Sequence, residues 1–233
     1  MEFKDLILIF ENKKKMYGDD VYLHISEIFE EAREEYKQQY LAGPKAQKVI
    51  AKGRTPDAEQ SWKAFKGGNF EKLILYIIRQ DIESMNLECI SGDSLARKKL
   101  STELSRVYRN LTVRYGKFSV LPDADLVIYN PATSKVVGII SCKITLRERI
   151  AQTAYWKLKL ASDPLTMHIK GYFVTADEDG DLVKDMSSPS RNRIIVEHDL
   201  DGTYVLRHIS ESDRVKAFPK LLKDIRRLVS ENK

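Results

Sequence analysis

The sequence predicts an α/β fold, a mixed central β-sheet flanked by helices, with a helical region at the N-terminus. Three observations predict it. Apolar residues recur at helical spacing from Val21 to Leu41 and again from Asn69 to Met85. From Thr112 the spacing changes to short apolar runs separated by a turn. At Leu146 helical spacing returns, ahead of a further apolar run from Ile169 to Val174. We divide the chain into an N-terminal helical region, residues 1–60, and an α/β domain, residues 61–233.

The first helix carries Leu23, Ile25, Ile28, Phe29 and Ala32 on one face and stops at Gly43-Pro44. Lys45 to Gly68 is basic and is broken by Gly53, Pro56 and Gly67-Gly68, so it reads as a connector with room for one or two short helices. The helix from Asn69 to Met85 is apolar nearly all round, as a helix covered on most sides must be. Val113, Tyr115, Phe118 and Val120 lead into the strand Asp125–Tyr129, a turn at Asn130–Ser134, and the strand Val136–Ile140, expected to pair antiparallel. Leu146 to Leu160 is helical, Ile169 to Val174 is a strand, and Ile194–Val196 and Tyr204–Leu206 read as two weaker strands. A last amphipathic helix uses Val215, Phe218, Leu221, Leu222, Ile225, Leu228 and Val229.

At 233 residues and 42% hydrophobic composition the chain is able to bury a sizeable core. Lys plus Arg number 39 against 34 Asp plus Glu, and the net charge of +5 favours a polyanion without identifying one. Cys89 and Cys142 form neither a disulfide framework nor a zinc-ligand spacing, which suits a reducing cytoplasm. The apolar run Leu6–Phe10 is far short of the ~18 residues a membrane span needs, and Met1–Asp5 lacks a basic leader, so a cytoplasmic protein with no membrane partner is expected. The histidines at 24, 168, 198 and 208 show no catalytic spacing.

The chemistry concentrates between Asp125 and Lys143. The run Val136–Ile140 suits a strand buried on both faces, yet it ends in Ser141-Cys142-Lys143, and residues two apart share a face. Ser141 and Lys143 therefore point one way, and Cys142 the other as a buried structural thiol. An ammonium at the rim of a buried strand needs a counter-charge, and Asp125 precedes the neighbouring strand. A carboxylate is able to hold a divalent ion while lysine positions or deprotonates an attacking water, which is what phosphodiester hydrolysis requires; arginine does not give up its proton. Asp123, of the same parity and next to Pro122, is the alternative carboxylate.

Pro122-Asp-Ala-Asp125, an apolar strand, a turn, a second apolar strand and Ser141-Cys-Lys143 together resemble the PD-(D/E)xK nuclease signature, with Ser141 16 positions after Asp125. Ser141 departs from the Asp or Glu of most members. That departure resembles restriction endonucleases reading CCGG or CC-N-GG, which take the missing carboxylate from another element. The helix after the lysine offers Trp156 and Lys157 at that offset, so the resemblance points to Glu71, ahead of the sheet. Glu71 shares a helical stripe with Leu75, Ile78 and Ile82. A second account of it stands beside the first: Asn69 as an N-cap, with Glu71 drawn to the positive end of the helix dipole.

After the lysine, Arg147-Glu148-Arg149 opens a helix with Thr145 as a candidate N-cap. Arginine pairs bidentately with guanine and glutamate accepts from cytosine, so the triplet has the groups that adjacent G·C pairs require. Its order resembles the recognition triplet of the same group, and Arg147–Leu160 resembles the BsaWI type. Gln152, Thr153, Tyr155 and Trp156 come next; Gln152 is assigned to DNA and the two aromatics to the core. The resemblance covers roughly Ser61 to Val174. It implies a type II restriction endonuclease with residues 61–233 as the nuclease domain, Mg2+ as cofactor held by Asp125 and Glu71, with Asp123 as the runner-up to Asp125, and duplex DNA as substrate. A palindromic target implies a homodimer, sealed by the N- or C-terminal amphipathic helix. A junction-resolving or repair nuclease, and a DNA-binding protein on a decayed nuclease scaffold, remain as alternatives.

Overall fold

A computed structural model describes residues 1–146, 149–184 and 187–231. The chain forms two compact units, Met1–Leu73 and Ile74–Lys233. The first is helical: α1 (Phe3–Tyr17), a 3-10 segment (Gly18–His24), α2 (Ile25–Ala42), α3 (Pro44–Ile50) and the first part of α4 (Ala58–Ser84). Leu6, Phe10, Ile25, Ile28, Phe29, Ala32, Trp62 and Phe70 are buried in it. Phe29, Tyr36, Trp62 and Phe65 form an aromatic cluster in which Tyr36 and Phe65 lie 4.3 Å apart.

Two expectations are corrected in this unit. The spacing that begins at Val21 is wound as 3-10 helix up to His24, and the α-helix starts at Ile25. The helix expected from Asn69 starts at Ala58, so Gly67, Gly68 and Asn69 lie inside α4. A Cβ added at either glycine would meet nothing within 4 Å. Packing of Trp62 and Phe70 offsets the roughly 1 kcal/mol that each glycine costs a helix interior. Asn69 is no N-cap; its amide donates to the Phe65 carbonyl at 2.8 Å.

The second unit is built on a six-stranded sheet in the order β1-β4-β5-β6-β7-β8. Its strands are β1 (Glu88–Ser91), β4 (Leu126–Asn130), β5 (Lys135–Lys143), β6 (Lys170–Thr175), β7 (Gly202–Val205) and β8 (Val215–Ala217). The first three pair antiparallel and the rest join in parallel, so the sheet is mixed as the sequence predicts. A separate two-stranded ribbon, β2 (Val113–Tyr115) and β3 (Phe118–Val120), precedes β4. The helices are α5 (Thr102–Leu111), α6 (Arg149–Ala161), α7 (Arg191–Asp199) and α8 (Lys220–Glu231). Val107, Leu111, Val127, Tyr129 and Leu160 share one core. Ile150, Phe173, Val196, Val205 and Val215 share another, between the sheet and α6 and α7.

The turn between β4 and β5 forms where the sequence puts it: the Asn130 side chain accepts from Ala132 N at 2.9 Å, and Ser134 N donates to Asn130 O at 2.7 Å. Ile194–Val196 is helix and not strand. Ser190 caps α7 by accepting from Arg193 N at 3.0 Å, and buried Arg193 pairs with Glu197 one turn on, a helical spacing. The expected C-terminal helix loses its start as well. Val215–Ala217 is strand β8, and Pro219 marks the break before α8.

The segment after β6 ties down the chain that leaves β5. Glu178 N donates to Ile144 O at 3.2 Å, and Asp179 accepts from Leu146 N at 3.2 Å. Asp177, fully buried at φ 51°, accepts from Leu182 N at 3.1 Å, and burial pushes its carboxyl up to about 6. A folded-state value above the ordinary 3.8 means that stability is present below about pH 4 and lost as pH rises through about 6. Asp177→Asn, which suits the left-handed backbone, therefore raises stability at pH 7.5 by about 1–3 kcal/mol. In thermal melts against pH, the variant's advantage closes below pH ~4, where wild-type Asp177 is also neutral.

Candidate active site

Strand β5 is buried along most of its length, and burial reaches Ser141 and Cys142 at its end. Lys143 comes next with its side chain 22% exposed, and its Nζ donates to Asp125 Oδ1 at 2.8 Å and Oδ2 at 2.7 Å. Asp125 Oδ2 also accepts from Cys142 N at 2.6 Å. The Asp125 side chain is 11% exposed, so an ion pair and a backbone donor meet at the mouth of the hairpin, largely out of water.

The hairpin reaches this arrangement through one extra residue. From the turn, Asn130 faces Lys135 and Tyr129 faces Val136, a register that would set Asp125 opposite Ile140, on the face away from Lys143. A bulge intervenes: Ile128 pairs with Gly138, leaving Val137 unpaired, and Leu126 then pairs with Ile140. Asp125 comes opposite Ser141, on the face of Lys143. Its backbone is held too, with Asp125 N donating to Ile140 O at 3.1 Å and Gly92 N donating to Asp125 O at 2.9 Å.

Gly92 is not legible as a site residue from sequence. A Cβ there would lie 1.8 Å from Ala124 O, so only glycine lets the turn after β1 press against the backbone that carries Asp125. The Ser91-Gly92-Asp93-Ser94 composition signals a turn, but nothing in it says what the turn touches.

The other sequence-derived candidates fall into distinct places. Ser141 is buried beside the pair. Asp123 is exposed and accepts from Gln152 Nε2 at 2.6 Å, which ties it to α6. Glu71 is half-buried within α4, in the other compact unit. Arg147 and Glu148 lie outside the described residues, and Arg149 is the exposed first residue of α6. Trp156 packs against the core as expected, whereas Tyr155 is 43% exposed, a correction to its core assignment. Among the described residues no group of three or more His, Cys, Asp or Glu side chains is placed to hold a metal. No helix among them is long and apolar enough to cross a membrane.

A mixed sheet with a carboxylate and a lysine paired at one hairpin mouth defines a restriction-endonuclease-like fold. The solved structure of the restriction endonuclease PspGI with substrate DNA matches it at a TM-score of 0.52, covering 97% of this chain and 93% of that one at 14% identity. The chain belongs to the BsaWI family of type 2 restriction endonucleases, whose family model matches residues 102–227. It is 34% identical over 212 residues to a Methanocaldococcus jannaschii protein bearing the name type II restriction enzyme MjaVIP, covering 87% of this chain and 92% of that one. A Helicobacter pylori protein bearing the name type II restriction enzyme HpyAORF263P is 37% identical over 125 residues, 54% of this chain and 65% of its own.

Gly92→Ala tests the close approach. The added methyl must push back the Ala124–Asp125 backbone, at a cost of about 1–3 kcal/mol in stability. With Asp125 as the metal-holding carboxylate proposed below, displacing it by up to an ångström is expected to lower single-turnover cleavage about 10²-fold at temperatures where the variant is folded. Wild-type cleavage with unchanged melting would show that this backbone yields freely.

Proposed function

We propose that this restriction endonuclease makes Mg2+-dependent double-strand cuts in duplex DNA, as a homodimer, at a short palindrome of the CCGG or CC-N-GG type. The observation that carries the reading is the contact of Lys143 Nζ with both oxygens of Asp125 at a buried strand mouth. Magnesium is commonly held by one or two carboxylates with phosphate and water completing its shell, and Asp125 offers the hard oxygens that this requires. Asp125, with Asp123 as its alternative, would hold the ion, and Glu71 would be the second carboxylate in place of Ser141. When bound, the ion supplies Lewis-acid polarisation of the phosphate and a more acidic water.

The chain's own groups have separate tasks. Lys143 is a compact cation on a flexible stem, able to orient the attacking water; it accepts that water's proton only after giving up one of its own to solvent. Buried Ser141 brings no charge of its own to the pair. For Glu71, the competing account weakens because it stands well inside α4, beyond the reach of the N-terminal dipole. Its assignment to the metal otherwise rests on the resemblance.

The test begins with phage DNA digested in magnesium and the ends sequenced, which yields discrete fragments with one common sequence. Asp125→Asn and Lys143→Ala each abolish cleavage with the fold retained by circular dichroism. Glu71→Gln impairs cleavage with little change in melting temperature. If Asp123→Ala is inactive while Asp125→Asn cuts normally, the carboxylate assignment is wrong; a footprint without cleavage by the wild type would point to a decayed scaffold.

Recognition is assigned to Arg147, Glu148 and Arg149, with Gln152 beside them. Each bidentate base contact is worth about 1–3 kcal/mol of discrimination. Alanine at any one of the three lowers affinity for the cognate duplex about ten-fold or more and leaves binding to unrelated duplex nearly unchanged. Equal losses on both duplexes, measured in EDTA, would make the arginines phosphate clamps.

A further inference from the structure

The ribbon of β2 and β3 stands outside the six-stranded sheet. A lone two-stranded ribbon is marginal in water, so it needs anchoring. Its register, Val113 with Val120 and Tyr115 with Phe118, sets these four side chains on one face and Arg114 and Ser119 on the other. Val113 is buried in the core, and the Tyr115 hydroxyl meets that of Tyr155 on α6 at 2.7 Å. Beyond these anchors the ribbon is open to solvent, with Phe118 64% exposed at its tip.

The aromatic rings of this surface, Phe118 and Tyr155 exposed and Tyr115 partly buried, carry cations. Lys159 Nζ lies 5.4 Å from the Tyr115 ring and 5.6 Å from the Tyr155 ring, and Lys117 Nζ lies 5.4 Å from the Phe118 ring. Arg114 is exposed on the opposite side. Among the described residues none of these three cations has a carboxylate within 4.0 Å. Elsewhere in this unit Lys157 and Lys170 share Asp201, and Lys216 pairs with Asp224. The ribbon, Val-Arg-Tyr-Gly-Lys-Phe-Ser-Val, contains no acidic residue.

We propose that this ribbon, with Tyr155 and Lys159 of α6, is an arm that grips duplex DNA flanking the cut site. The proposal rests on the reading of this chain as an enzyme acting on duplex DNA. The charge favours a polyanion over a second copy: a two-fold interface sets a patch against itself, and here cations would face cations with no carboxylate between them. A two-stranded ribbon fits a DNA groove, and exposed rings pack on sugars or bases. The chain is continuous with the catalytic pair at both ends of the arm. Strand β3 runs through Leu121-Pro122 to Asp123 and Asp125, and α6 comes after Lys143 and holds Asp123 through Gln152.

The test uses the full chain and a random-sequence duplex in EDTA, where no cleavage occurs, with affinity measured against salt. Each phosphate contact contributes about 0.9 to the slope of log K on log salt. The variant Arg114→Ala/Lys117→Ala/Lys159→Ala is expected to flatten the slope by about 2–3 with unchanged melting temperature and sedimentation. Phe118→Ala is expected to weaken binding at fixed salt. An unchanged slope in the triple variant overturns the arm. So does a shift from dimer to monomer in sedimentation without DNA, which would assign the surface to a second copy. Plasmid cleavage by the wild type is scored separately: a flattened slope supports the arm whether or not the wild type cuts, and failure to cut counts only against the nuclease reading.

Discussion

The ion pair between Lys143 and Asp125 is the constraint on which the rest of the α/β unit depends. An ammonium and a carboxylate taken largely out of water are tolerated only when their geometry is good and the remaining lone pairs are satisfied. Here both carboxylate oxygens face the lysine and one also accepts from the Cys142 amide. Removing either partner takes charge-assisted contacts from the other at a largely buried place, so the surrounding chain must hold both in position. The bulge at Val137 brings Asp125 to the correct face, and Gly92 presses against its backbone from β1.

Backbone hydrogen bonds hold the chain on the far side of the lysine as well. Strand β6 pairs in parallel along β5 as far as Lys143 with Thr175, and the segment beyond it bonds back to Ile144 and Leu146. The chain is thereby led from β5 into α6 over a few residues. The groups proposed to act on the scissile phosphate and those proposed to meet the surrounding duplex share one stretch of sequence, from the ribbon through the hairpin to α6.

Where the sequence misleads, the cause is local ambiguity resolved by tertiary contacts. Three apolar residues at Ile194–Val196 suit strand or helix equally, and buried Arg193 with Glu197 decides for helix. Gly67-Gly68 marks a break in most contexts, yet α4 runs through it because Trp62 and Phe70 are packed on either side. Tyr155 has the composition of a core residue; it is exposed because the ribbon meets only its hydroxyl. Helix α1 is not legible in the sequence, since its buried residues Leu6 and Phe10 are too few to set a period among lysines and glutamates.

By itself the sequence determined the hairpin, its turn, the burial of its strands and the two chemical groups at their ends, because alternation and turn chemistry are local properties. It also determined that Cys142 faces away from Lys143, since parity needs only neighbouring residues. That Asp125 comes to the face of Lys143 was decided by the tertiary structure. A single bulged residue inverts the parity between two strands, and whether the chain accepts it depends on the neighbouring strand, where Gly138 has Lys170 O within 3.2 Å of a would-be Cβ. The role of Gly92 was hidden for the same reason: it exists only where β1 and β4, far apart in sequence, lie side by side.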